Sequence, residues 1–141
     1  MKIGEYELKK DLNYDKFNNW IKIDGEIAVF GITDIAVKQA RDIAFIELPE
    51  EGSDTELGKS CGQIESAKWS GEIIAPISGE IIEINKSLED DPGIMNSDPY
   101  GKGWIAKIKL SKLSEIETLM DADQAIEWIK SEHKDSIANK G

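Results

Sequence analysis

The sequence contains very few of the side chains that bind transition metals or act as nucleophiles and bases. Its 141 residues include one cysteine, Cys61, and one histidine, His133. A transition-metal site draws several ligands from these residue types, and a catalytic triad needs a base beside its nucleophile. The composition therefore predicts no metal site and no catalytic residue. Because a single cysteine cannot form an internal disulfide, we expect a reducing compartment, the cytoplasm.

Positive charge is also scarce, with 17 Lys and Arg side chains against 28 Asp and Glu and a formal net charge of -11 at pH 7. Such a surface repels nucleic-acid phosphates and attracts basic protein surfaces. The sequence has no apolar run near the roughly 20 residues of a membrane-spanning helix. We expect a monomer that binds neither nucleic acid nor membranes.

Short apolar runs, about ten residues apart and separated by turn formers, indicate a mainly β domain. The pattern predicts strands over residues 19–23, 26–31, 42–48, 61–67, 72–75, 80–85 and 104–110. Asp24-Gly25 between the first two strands predicts a hairpin, because glycine tolerates a positive φ. One face of the last strand is apolar and should be buried; it consists of Trp104, Ala106, Ile108 and Leu110.

The sequence predicts two helices. Thr33 or Asp34 can cap a short helix that runs through Arg41. Asp121 can cap a last helix, whose apolar side chains recur at helical spacing: Ala122, Ala125, Ile126 and Ile129. The turn-rich segment 88–103 should be an ordered loop. We expect an N-terminal extension over residues 1–13, one folded domain over residues 14–133 and a flexible tail over residues 134–141.

Lys68 lies between two short apolar runs that can pair as antiparallel strands, 64–67 and 72–75. Gly71 can form the corner of the connecting turn. Glu65 and Glu72 flank the turn and would place a negative field around the lysine amine. Two interpretations follow: Lys68 is an ordinary exposed lysine on a hairpin, or it is the anchor for a covalently attached prosthetic group.

The segments around this lysine resemble the H-protein of the glycine cleavage system. The matching segments are Glu65-Ser66-Ala67-Lys68, residues 75–85, residues 88–92 with Asn96, Asp98-Pro99-Tyr100, Gly103-Trp104, residues 31–36 and residues 48–52. The resemblance covers residues 14–130 and favours the second interpretation of Lys68. It implies a mainly β fold, the lipoyl-domain-like barrel-sandwich hybrid, with added helices that include a C-terminal one.

The resemblance also implies lipoate bound to Lys68 through an amide, and a carrier protein rather than an enzyme. The lipoate-attaching enzyme would recognise the sequence around the lysine, including Glu65, Ser66, Ala67, Glu72 and Gly79. The lipoyl arm would shuttle an aminomethyl group among three enzymes: a pyridoxal-phosphate glycine decarboxylase, a folate-dependent aminomethyltransferase and a flavin-dependent dihydrolipoamide dehydrogenase. The chemistry belongs to the prosthetic group and its partners, while the protein supplies placement.

The sequence departs from the family where a cleft would hold the loaded arm. Family members usually carry His-Glu-Trp where this chain has Asn18-Asn19-Trp20. A carboxylate binds an ammonium group more strongly than a neutral amide does, because charged hydrogen bonds contribute roughly 1.5–3 kcal/mol. The expected cleft residues are Phe17, Asn19, Trp69 and Glu72.

Two smaller departures follow. Trp69 stands where a small residue usually follows the lysine, and it could shield the dithiolane, form a docking contact or simply cover the turn. Arg41 replaces a glycine that often ends the short helix. Cys61, on the strand leading to the lysine, is expected to be a small buried hydrophobic residue rather than a partner in thiol exchange.

Three functions therefore remain open. The chain could carry aminomethyl groups in glycine cleavage, as the overall resemblance favours. It could instead be an H-like lipoate-binding protein that carries sulfur intermediates for a heterodisulfide-reductase-like sulfur-oxidation system, because sulfur cargo has no ammonium group for the missing glutamate to bind. It could also be an unmodified interaction module that keeps the fold.

Overall fold

Two antiparallel sheets packed face to face form the body of the protein in the computed structural model, which describes residues 2–3, 6–67 and 69–132. The strands in chain order are β1 (Lys2–Ile3), β2 (Tyr6–Glu7), β3 (Asn13–Tyr14), β4 (Asn19–Asp24), β5 (Ile27–Ile32), β6 (Ile43–Glu47), β7 (Asp54–Thr55), β8 (Ser60–Ser66), β9 (Ser70–Ile74), β10 (Gly79–Ile84) and β11 (Ala106–Leu110). The helices are α1 (Asp34–Ala40), α2 (Ser87–Asp90), α3 (Ile94–Ser97) and α4 (Ala122–Glu132), with a 3-10 helix at Leu113–Thr118. Within these residues no helix is both long and apolar enough to cross a bilayer.

The larger sheet has the strand order β3-β4-β5-β11-β10-β7, and the smaller has the order β6-β8-β9. Their facing sides form the main core, because alternate residues of each strand point inward. Its fully buried side chains come from both sheets and include Ile21, Phe30, Ile64, Ile73, Ile81 and Ile108. The predicted mainly β sandwich with added helices is confirmed.

A second apolar cluster covers the outer side of the larger sheet near β3 and β4. The N-terminal segment contributes Tyr6, Leu8 and Leu12, and α4 contributes Ala122, Ala125 and Ile129, all buried. Polar contacts fix the segment in place: the Glu7 amide donates to Asp34 Oδ2 (2.9 Å), and the Tyr100 hydroxyl donates to the Glu7 carbonyl (2.5 Å). Residues before position 14 thus contribute to a core of the folded chain.

The predicted strands all form, with ends that shift by up to two residues. Gly25, with φ +63°, lies in the loop of the predicted β4–β5 hairpin. The expectation for Trp104 was wrong, because β11 begins at Ala106 and Trp104 packs with the second cluster. The Lys107 ammonium lies 5.4 Å from the centre of the Trp104 ring, so Trp104 belongs to the lysine side of the strand.

Both predicted helices form with the expected caps. The Thr33 hydroxyl accepts from the Ala36 amide (3.3 Å), and α1 ends one residue before Arg41. At α4 the caps are reciprocal, since Asp121 Oδ1 accepts from the Gln124 amide (2.8 Å) and Gln124 Oε1 accepts from the Asp121 amide (2.9 Å). The segment 88–103 is ordered around two short helices, and its buried anchors are Leu88 and Met95.

Candidate functional site

Strands β8 and β9 form the hairpin on which Lys68 was predicted to lie. Glu65 pairs with Ser70, and the Ser66 amide donates to the Trp69 carbonyl (2.8 Å), so the two strands stay joined as far as Ser66 and Trp69. Lys68 itself lies outside the described residues, as does His133. Its chain neighbours Ala67 and Trp69 are exposed. In the sequence, Lys68 therefore falls between two exposed residues at the end of the paired hairpin.

The outward side of the smaller sheet is acidic close to this turn. Cross-strand neighbours share a face and form two adjacent rows, Phe45-Glu65-Ser70 and Glu47-Gln63-Glu72. We call these six residues the outer hairpin face. All of them are exposed, and they carry three carboxylates and no basic group. The face thus presents negative charge beside the turn, as Glu65 and Glu72 alone suggested.

Trp69 immediately precedes β9, and its indole lies on the Gly71 side of the hairpin, opposite Glu72. A Cβ atom built on Gly71 would fall 2.5 Å from Trp69 Cη2, so the indole covers Gly71. The ring remains 41% exposed. The indole therefore covers part of the turn, while its roles in shielding the dithiolane and in docking stay predictions.

Asn19, at the start of β4, connects the two sheets. Its side-chain Nδ2 donates to the Ile74 carbonyl at the end of β9 (2.7 Å) and to Asp15 Oδ2 (2.8 Å). Asn19 is only 1% exposed, and its Oδ1 accepts no hydrogen bond from any residue that the structure describes. An unpaired buried acceptor is costly unless a ligand, an ion or water completes it.

Asp15, which the sequence alone did not single out, holds Asn19 and the chain before it. Its carboxylate accepts from the Phe17 amide (2.8 Å), the Asn19 amide (3.0 Å) and Asn19 Nδ2, and it is 7% exposed. Burial raises the pKa of Asp15 from 3.8 to about 6, although these hydrogen bonds pull the pKa downward. A turn signal could have located it, since an aspartate often accepts from the amide two residues ahead.

Phe17 and Asn19 both lie beside Asp15, and the other two predicted cleft residues, Trp69 and Glu72, lie further along the hairpin. The Phe17 ring lies over the turn before β8, with Cζ 3.9 Å from a Cβ built on Gly58, and is 39% exposed. Glu72 is two residues from Ile74 on β9, and Trp69 is at the turn. The structure therefore groups Asp15, Phe17 and Asn19 at the base of the hairpin.

The structure also shows what surrounds two other residues singled out in the sequence, Gly79 and Cys61. Gly79 is buried in β10 of the larger sheet, away from the turn, and a Cβ there would collide with the Lys109 carbonyl. Close packing accounts for a glycine at this position. Burial raises the pKa of the Cys61 thiol to about 12. A thiol that holds its proton at neutral pH is a poor nucleophile, in line with the expected hydrophobic role.

The surroundings of the turn fit an attached lipoyl group. Beside the hairpin lies a shallow pocket of about 170 Å³, lined by Arg41, Asp42, Ser66 and Ala67. Ala67 and Trp69 are exposed, so a modifying enzyme can approach this end of the hairpin. The chain thus offers access for attachment and a small recess next to it.

Comparison with known proteins agrees with this architecture. Residues 12–132 match the family model for the glycine cleavage H-protein. The chain is 46% identical over 134 residues to a probable glycine cleavage system H protein of Pyrococcus abyssi, covering 93% of this chain and 98% of the relative. It is 44% identical over 123 residues to the mitochondrial glycine cleavage system H protein 2 of Arabidopsis thaliana, covering 87% and 79%.

A solved structure shows the same fold. The crystal structure of a glycine cleavage system H protein from Mycobacterium marinum superposes with a TM-score of 0.77 at 35% identity, covering 88% of this chain and 98% of the other. Fold and sequence therefore agree over most of the chain. The chain belongs to the glycine cleavage H-protein family.

Proposed function

We propose that this protein is a lipoyl carrier for glycine cleavage, with lipoate in amide linkage to Lys68. The observation that carries the proposal is the hydrogen bond between Ser66 and Trp69 at the end of the β8–β9 hairpin, because Lys68 falls between these residues in the sequence of an H-protein family member. Lipoate, when attached, supplies a dithiolane that can be reduced, loaded and reoxidised. The family supports a carrier rather than an enzyme.

The chain's own residues serve to hold and expose the attachment point. Strands β8 and β9 fix the two ends of the turn, and the Asn19 side chain ties the far end of β9 to the larger sheet. Both sheets therefore hold the attachment point in place, while the length of the lipoyl arm comes from the modified lysine side chain. The proposed partners are the lipoate-attaching enzyme, the pyridoxal-phosphate glycine decarboxylase, the folate-dependent aminomethyltransferase and dihydrolipoamide dehydrogenase, in the cytoplasm.

Asp15 supports an aminomethyl cargo over a sulfur cargo. Asn19 replaces the family's glutamate, but the Asp15 carboxylate lies 2.8 Å from Asn19 Nδ2 and polarises the amide. Asn19 Oδ1 is buried and has no partner among the described residues, so a rearrangement that admits the arm would let it accept from an ammonium group, with the Asp15 carboxylate bonded to the other end of the amide. A sulfur carrier has no cation for this pair to bind. The replacement at position 19 remains the one feature that favours the sulfur-oxidation alternative.

The attachment is tested by expressing the chain with lipoate and a lipoate ligase and measuring intact mass. We expect one lipoyl adduct, none on Lys68→Ala, and an undiminished adduct on the control Lys59→Ala, a lysine in the turn before β8. An adduct that survives Lys68→Ala, or no adduct on the unmodified sequence, would refute the carrier role. The second result would favour the interaction module.

The cargo is tested by adding glycine decarboxylase with glycine and labelled bicarbonate to the lipoylated protein. We expect label to exchange into glycine, and we expect Asp15→Asn to slow the exchange about tenfold, because it removes the charge behind the acceptor. The control Asp11→Asn removes an exposed carboxylate from the same segment and should leave the rate unchanged. Absence of exchange with the unmodified sequence would rule out glycine cleavage for that enzyme pair and favour the sulfur cargo.

A further inference from the structure

Phe45 points outward because the edge strand β6 contains a bulge. Ile43 pairs with Ser66, but Phe45 pairs with Glu65, so two steps along β6 match one step along β8 and Ala44 is the extra residue. Ile43 and Ile46 stay buried, while Phe45 is 50% exposed. Bulges reorient side chains and are frequent beside functional sites. The backbone therefore deviates from regular pairing at the point where it exposes a large aromatic ring.

Exposure alone does not mark a docking residue, because apolar atoms form much of any protein surface. Ile82 and Leu113 are also exposed, at 40% and 55%. Phe45 differs from them in its surroundings, since it shares a row with Glu65 and Ser70, the last strand pair before the Lys68 turn. It is the aromatic member of the outer hairpin face.

The chemistry of this face specifies its partner. An aromatic ring in a desolvated pocket is a common energetic centre of protein interfaces, and surrounding charges mainly speed and orient the encounter. The three carboxylates of the face, those of Glu47, Glu65 and Glu72, attract lysine and arginine side chains. A second copy of this chain is a poor occupant, because each copy carries a net charge of -11.

We propose that the outer hairpin face docks the enzyme that attaches lipoate to Lys68, and that Phe45 is the anchor of this contact. The partner surface combines an apolar pocket for the Phe45 ring with basic side chains around it. This inference rests on the proposed lipoyl attachment and adds the docking surface. An enzyme bound here meets the lysine of the adjoining turn and is kept from lysines elsewhere on the surface.

The test measures lipoylation rates of the full chain by a lipoate ligase, followed by intact mass. Phe45→Thr keeps a strand-forming residue and removes the ring. We expect KM for this variant to rise about tenfold or more with kcat nearly unchanged, because docking is lost and the chemistry is not. Ile82→Thr, an equivalent change on an exposed strand residue of the larger sheet, should match the unmodified sequence. Phe45→Trp should restore most of the affinity.

The salt dependence of lipoylation is an independent test. If the three carboxylates guide the encounter, the lipoylation rate of the unmodified sequence should fall as ionic strength rises. Equal kcat/KM for Phe45→Thr and the unmodified sequence would overturn the docking role of Phe45. A change in sedimentation on Phe45→Thr would also overturn it, because a second copy would then cover this face. No lipoylation of the unmodified sequence would refute the carrier function itself, which distinguishes the two failures.

Discussion

Replacing Arg41 by glycine should stabilise the protein. Arg41 follows α1 with φ +68° and ψ -149°, a backbone conformation that is essentially restricted to glycine. Its amide donates to the Val37 carbonyl (3.0 Å) and its carbonyl accepts from Asn96 Nδ2 (2.6 Å), so both sides of the residue are held in place. The conformation costs a non-glycine residue about 1–3 kcal/mol.

Glycine offsets part of this gain in stability, because it loses roughly 0.5–1 kcal/mol more backbone entropy on folding than other residues do. The net expectation for Arg41→Gly is an increase of about 1 kcal/mol in the free energy of unfolding, or roughly 3 °C in Tm. The side chain is exposed, so little packing is lost.

Urea denaturation of Arg41→Gly and Arg41→Ala measures the effect. Alanine removes the guanidinium but keeps a Cβ, so it retains the backbone strain. The difference between the two variants isolates the conformation of residue 41 from the loss of its side chain. If Arg41→Gly is no more stable than Arg41→Ala, residue 41 is not strained and the argument fails.

Three further changes test other parts of the structure. Burial raises the pKa of Asp15 from 3.8 to about 6, so Asp15 binds a proton more readily in the folded than in the unfolded state. The protonated group therefore contributes about 3 kcal/mol to the free energy of unfolding below pH ~4, and this contribution is lost as the pH rises through ~6. Urea denaturation across this range should show that Asp15→Asn removes this part of the pH dependence, and an identical slope would contradict the buried carboxylate. Gly79→Ala should lower the free energy of unfolding by about 3 kcal/mol, since the new Cβ meets the backbone of Lys109. The molecules that remain folded should be lipoylated at the unchanged rate, as measured by intact mass; a slower rate would show that the modifying enzyme recognises this glycine directly. Trp69→Ser should change stability by no more than about 0.5 kcal/mol, because the indole lies over Gly71 at the surface and is 41% exposed; a larger loss in denaturation would assign the ring to the core.

Local signals were sufficient for most of the fold. Asp24-Gly25 gave the β4–β5 hairpin, and the caps at Thr33 and Asp121 gave the starts of α1 and α4, because each depends on residues within four positions of one another. Strands β3 and β7 were not predicted, since two residues cannot show a period.

The site could be predicted only where its contacts are local. The lysine turn is a local hairpin, but Asn19 bonds to a carbonyl 55 residues away, and nothing in the sequence pairs those positions. Nothing in the sequence indicated that the Phe45 side chain points outward either. Strict alternation over β6 would place Ile43 and Phe45 on one face, and only the bulge at Ala44 separates them.

The N-terminal segment shows how charge can hide a packed element. Lysines and acids separate its apolar residues, so the composition indicated an extension. Tyr6, Leu8 and Leu12 nevertheless reach the cluster beneath α4. Their burial depends on partners more than 100 residues away, including Ala125 and Ile129, which a local pattern cannot reveal.

The bulge in β6 has a consequence for self-association. Strand β6 is an edge of the smaller sheet, and a regular edge offers a row of free amide and carbonyl groups on which another chain can add a strand. The extra residue at Ala44 breaks the spacing of that row, and the carboxylate of Glu47 would repel a second acidic chain. The sheet can therefore expose an aromatic ring at its edge and still resist growth into fibrils.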